Sequence, residues 1–135
     1  MKSKLGHILF GVKPENLTFY KELLGFMGWD LLYDDPAMVG VGNEGGGSLW
    51  FGCEVKDIAN DYDGPGMNHL GINVESLADV DIVAAYLKER GVEHLFETPR
   101  HRPEFCGEGE TYYQVMFTSP DNILFEVLYS GPVSA

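Results

Sequence analysis

Residues 5–12 sort into two distinct faces at a period of two. Ile8, Phe10 and Val12 fall on one face, and Leu5, His7, Leu9 and Gly11 on the other, which predicts a strand with one wholly apolar side. The period then changes. Pro14, Glu15 and Asn16 form a helix entry, Leu17, Tyr20, Leu23 and Leu24 follow at helical spacing, and Gly25 is placed to stop the helix. Strands are predicted over 29–33, bounded by Asp34, Asp35 and Pro36, then over 38–42. After the turn Gly45-Gly46-Gly47, a further strand is predicted over 48–55. The first half thus reads βαβββ.

Residues 56–66 hold Asn60, Asp61, Asp63, Gly64, Pro65 and Gly66, the composition of a linker. The pattern then restarts. A strand is predicted over 67–74, and a helix over 79–90 with Val80, Val83, Ala84 and Leu87 inward and Gly91 closing it. A short strand over 92–97 precedes a polar stretch up to Glu110. Strands over 111–118 and 122–129 meet across Ser119-Pro120-Asp121, and 131–135 are expected to fray. The expectation is one α+β domain of two repeated βαβββ modules, about 4–55 and 67–130.

The repeat extends to chemistry. His7-Ile8-Leu9-Phe10-Gly11-Val12 and His69-Leu70-Gly71-Ile72-Asn73-Val74 share the form His-apolar-x-apolar-x-Val. In the last strand Phe125, Val127 and Tyr129 oppose Leu124, Glu126 and Leu128. Three strands therefore each carry one ionisable group, His7, His69 or Glu126, on the face that the helices do not cover. Singly, each has an ordinary reading as a solvated or satisfied side chain. Jointly, two imidazoles and a carboxylate are the donor set of a metal site with open positions, and a Glu between leucines is costly to bury unless paired or ligated. On spacing alone both readings stand.

At 135 residues, with 44% hydrophobic and 22% charged residues, the chain has material for one core. Twenty-one Asp and Glu against nine Lys and Arg give a formal charge of −12. Such a surface repels phosphate backbones and anionic lipid, so neither nucleic acid nor membrane is an expected partner. Cys53 and Cys106 are too few for a disulfide framework, no segment reads as a signal peptide or membrane span, and a cytoplasmic location is expected.

Four segments bear a family resemblance: Gly6-His7-Ile8, Phe19-Tyr20-Lys21-Glu22-Leu23-Leu24-Gly25-Phe26, Asn68-His69-Leu70-Gly71-Ile72, and the stretch from Tyr113 to Val127. In these the chain resembles the vicinal oxygen chelate superfamily, which includes glyoxalase I, extradiol dioxygenases, fosfomycin-resistance thiol transferases and bleomycin-resistance proteins. The resemblance implies two βαβββ modules whose sheets form an open metal-binding cleft. His7, His69 and Glu126 would be ligands to a divalent ion (zinc, nickel, iron, manganese or cobalt), with Glu126 also catalytic. It favours isomerase or lyase chemistry of the lactoylglutathione-lyase type on a small substrate bound through adjacent oxygens. The alternatives are an extradiol-type dioxygenase, or a non-catalytic drug-binding protein of the bleomycin-resistance type.

Glyoxalase I enzymes add a fourth ligand, a Glu on the last strand of the first module. Aligning residues 47–51 on 122–126 puts Phe51 there, and Glu54 has the wrong strand parity relative to Phe51. Trp50, Phe51 and Tyr113 are expected near the substrate. Arg100 or Arg102, on a long connection over 98–110, would hold a substrate carboxylate. The resemblance also implies a homodimer whose apolar interface overcomes the charge repulsion.

Overall fold

The computed structural model describes residues 1–133, and these fall into two units divided between Ala59 and Asn60. Unit 1 contains β1 (His7–Gly11), α1 (Leu17–Phe26), β2 (Asp30–Asp35), β3 (Met38–Gly42) and β4 (Ser48–Gly52). Unit 2 contains β5 (His69–Asn73), α2 (Leu77–Glu89), β6 (Leu95–His101), β7 (Glu110–Thr118) and β8 (Leu124–Pro132). The sheet orders are β1-β4-β3-β2 and β5-β8-β7-β6. In each, the first strand runs parallel to the last and the other pairings are antiparallel. Two four-stranded mixed sheets with one helix each make the chain α+β with the same βαβββ order twice, as the pattern predicts. Among the described residues no helix is long and apolar enough to cross a membrane.

The helices form where the apolar stripes require. Leu17, Tyr20, Leu23 and Leu24 of α1 are buried, and Tyr20 stacks on Phe51, which stacks on Phe10, at centroid distances of 4.3 and 5.1 Å. Gly25 does not stop this helix. It continues to Phe26, and Gly28, in the left-handed region at φ 91°, makes the reversal while the Trp29 amide donates to the Leu24 carbonyl. In α2, Ser76 caps the first turn by accepting from the Asp79 amide at 3.1 Å, so the helix begins before residue 79. Gly91 closes it at φ 73°, as expected.

Several expected boundaries move. The short strand over 92–97 is instead β6, Leu95–His101, interrupted by a register shift between Leu95 and Arg100 where Phe96 and Glu97 take left-handed φ values of 56° and 59°. That shift hides the alternation a strand normally shows. The 98–110 connection therefore shrinks to a 3-10 turn, Pro103–Phe105, and its flanks. β4 ends at Gly52, short of residue 55. Gly131 and Pro132 do not fray, since they pair with Thr111 and Glu110; Ser134 and Ala135 lie outside the described residues.

Candidate functional site

In unit 2, β5 and β8 run parallel with Gly71 opposite Glu126. A Cβ at Gly71 would lie 3.2 Å from Glu126 Oε1, so the glycine leaves room for the carboxylate. Glu126 is 4% exposed. Its Oε2 accepts from the Tyr112 hydroxyl at 2.8 Å and from the Gln114 side-chain amide. Its Oε1 lies 3.5 Å from His69 Nε2. Burying a carboxylate without such donors would cost several kcal/mol. Here both donors hold one oxygen and leave the other facing the imidazole.

The imidazole is held as well. Asn68 donates from Nδ2 to the Tyr62 carbonyl at 3.0 Å, which fixes its amide so that Oδ1 faces His69 Nδ1 at 2.7 Å. Because Oδ1 can only accept, Nδ1 carries a proton, and in the neutral imidazole Nε2 is the acceptor nitrogen that faces Glu126. Two donors on a tetrahedral ion, each at about 2.0–2.1 Å, stand about 3.3 Å apart, so the 3.5 Å separation suits a shared ion. An acceptor on the far ring nitrogen is the usual partner of a metal-ligating histidine. Asn68 supplies it. Among the described residues no group of three or more His, Cys, Asp and Glu forms a metal-holding cluster.

Around this pair lies a cavity of about 410 Å³ whose walls include Phe96, Arg102, Phe105 and Met116. Arg102 donates through Nη1 to Gln114 Oε1 at 3.1 Å and through Nε to Glu104 at 3.0 Å, with its guanidinium over the Phe105 ring at 4.9 Å. By accepting from Arg102, Gln114 is oriented to donate to Glu126. Burial, together with the bond to Glu126, pushes the Tyr112 hydroxyl up to about 12, so it remains a donor through the neutral range.

Tyr112, Gln114 and Asn68 are the residues the sequence reading missed. Tyr113 was expected at the site, but it points the other way: its hydroxyl donates to Asp81 on α2 at 2.6 Å. The hairpin register, Thr118 opposite Leu124 and Met116 opposite Glu126, puts the even-numbered residues of β7 on the Glu126 face and could have shown this. Arg102 lines the cavity. Arg100 does not; it is exposed and pairs with Glu97 at 3.8 Å.

Unit 1 has a corresponding arrangement around His7, which is exposed at the start of β1. His7 pairs with Ser48 and Leu9 with Trp50, as His69 pairs with Leu124 and Gly71 with Glu126. The counterpart of Glu126 is therefore Trp50, which corrects the expected alignment by one residue. Phe51 is fully buried between Tyr20 and Phe10 under α1 and belongs to the core, not to a substrate face.

The sequence model of the Glyoxalase/Bleomycin resistance protein/Dioxygenase superfamily matches residues 4–127. The chain belongs to this superfamily. Solved structures agree with the assignment. A provisionally assigned glyoxalase from Bacillus halodurans is 25% identical with a TM-score of 0.76, the match covering 93% of this chain and 94% of that one. A glyoxalase/bleomycin resistance protein from Albidiferax ferrireducens T118 is 19% identical with a TM-score of 0.73, over 94% and 99%. A glyoxalase/bleomycin resistance protein/dioxygenase from Alicyclobacillus acidocaldarius is 21% identical with a TM-score of 0.64, over 93% and 90%. The last two likenesses speak to the fold alone. No curated protein matches the chain.

Proposed function

We propose that this superfamily member is a divalent-metal-dependent enzyme that acts on a small substrate through adjacent oxygens, with His7, His69 and Glu126 as protein ligands. The observation that supports it best is the His69–Glu126 pair: an imidazole held by Asn68 turns Nε2 toward the remaining oxygen of a buried carboxylate anchored by Tyr112 and Gln114. His7, at the matching strand position of unit 1, is the third ligand in this reading. A bound ion would supply Lewis-acid stabilisation of an oxyanion or enediolate. The chain's own residues orient the donors. Asn68 holds the tautomer of His69. Tyr112 and Gln114 hold one oxygen of Glu126, and Phe96, Phe105 and Met116 give the cavity apolar walls.

Isomerase or lyase chemistry of the lactoylglutathione-lyase type is the favoured reaction, and dioxygenation with iron the next. That preference rests on prevalence in the superfamily, because Trp50 at the fourth-ligand position departs from the four-ligand set of glyoxalase I; the alternative is a non-catalytic binding role. We also infer a cytoplasmic homodimer, in which exposed apolar side chains such as Leu9 and Met67 would be covered. The test is metal content after purification without chelator. His7→Ala, His69→Ala and Glu126→Ala should each lose bound metal. His94→Ala, whose Nε2 only meets the Ala84 carbonyl, should not. A screen with glutathione hemithioacetal, catechols and fosfomycin then separates the reactions.

A further inference from the structure

Unit 1 carries a cavity of its own, about 580 Å³, on the face where Trp50 stands in place of a carboxylate. Its floor and walls include Leu9, Tyr33, Met38 and Trp50, and two acids, Asp35 and Glu54, line it. Among the described residues no Lys, Arg or His lines it, and His7 lines the pocket adjoining it. The indole is fixed. Trp50 Nε1 donates to Ser48 Oγ at 2.8 Å, and the six-membered ring lies over Gly40, where a Cβ would come within 2.4 Å of it. Only glycine at position 40 lets the ring lie there. Tyr33 stands beside it, ring centroids 6.3 Å apart and tilted 42°.

The charge is equally fixed. Asp35 accepts from the Tyr33 hydroxyl at 2.5 Å and from the amides of Ala37 and Met38 at 2.7 and 2.9 Å. The Tyr33 bond first, and then the Ala37 amide, keep this carboxyl below its ordinary range. Among the described residues neither Asp35 nor Glu54 joins an ion pair. A rigid aromatic face beside uncompensated carboxylates attracts a positive charge spread over a flat apolar body, through the ring quadrupole and the acids together.

We propose that this cavity is a binding site for a small planar organic cation, a protonated or N-alkylated heteroaromatic ring stacked on Trp50 with its charge toward Asp35 and Glu54. The volume is in the range of small-molecule sites. His7 stands on the same face of unit 1, in an adjoining pocket that shares Leu9, Met38 and Trp50, so the test is made on protein stripped of metal.

The test is calorimetric titration of the chelator-treated protein, at about pH 8, with three two-ring probes: cationic 1-methylquinolinium, neutral quinoline and anionic naphthalene-1-sulfonate. The cation should bind about fivefold or more tighter than quinoline, and the sulfonate weakest. Trp50→Leu should weaken the cation about tenfold and Trp50→Phe much less. Asp35→Asn and Glu54→Gln should weaken the cation while leaving quinoline unchanged. Equal affinity for the three probes, preference for the sulfonate, or no binding at millimolar probe would overturn the proposal. The charge series uses the wild-type protein alone, so it decides even where Trp50→Leu does not fold.

Discussion

Units 1 and 2 share strand order, a parallel first and last strand and a histidine at the same place on the first strand. Their uncovered faces differ at several matched positions, three of which comprise the carboxylate and its surroundings. Where unit 2 has Gly71, Glu126 and Gln114, unit 1 has Leu9, Trp50 and Met38. The carboxylate, the amide that anchors it and the glycine that makes room for it are replaced together by three apolar side chains. A buried carboxylate needs donors and space at once, so the three positions function as a set. One fold repeated twice thus presents a polar pair in unit 2 and, in unit 1, an aromatic platform beside an anchored Asp35 and an exposed Glu54.

The largest effect should come from testing which aromatic of β4 is core. Phe51→Ala should destabilise by about 3–5 kcal/mol, as for a fully buried ring between two others, while the partly exposed Trp50 should cost markedly less on truncation. Chemical denaturation of both variants checks this, and equal losses would undo the one-residue alignment of the units. Next in size is Gln114→Leu, which removes a donor to a buried carboxylate and should cost about 2–3 kcal/mol. On the proposed metal reading it should also weaken divalent-ion binding about tenfold or more. If both quantities stay at wild-type values, Glu126 does not depend on its anchor. The smallest effect is expected from a pair of tyrosines. Tyr112→Phe should cost about 1–2 kcal/mol through Glu126, and Tyr113→Phe under about 1 kcal/mol through Asp81. In a metal titration only the former should register, and the reverse order would place Tyr113 at the site.

These adjacent pairs also explain what the sequence could and could not reveal. Both helices, the linker and the repeat were legible because Leu17, Tyr20, Leu23 and Leu24, and later Val80, Val83, Ala84 and Leu87, fall at helical spacing and end near glycines. Strand faces were legible for β1, β5 and β8, where one ionisable group interrupts an apolar series. They were not legible where two aromatics are neighbours. Trp50 and Phe51, or Tyr112 and Tyr113, satisfy a period of two in either phase, and only the pairing register assigns them. The positive φ values at Phe96 and Glu97 similarly obscured β6. Asn68 and Gln114 act through hydrogen bonds to His69 and Glu126, and neither residue type announces such a role in sequence.

In the proposed function the His69–Glu126 pair supplies two of the three protein ligands of a divalent-metal site. Cobalt(II) titration, followed by its visible absorption, tests it most directly on wild type, His69→Ala, Glu126→Ala and the control His94→Ala. Wild type and His94→Ala should give a saturable one-site spectrum, and the other two variants should lose it. The same spectrum in all four proteins, or none in wild type, would contradict it.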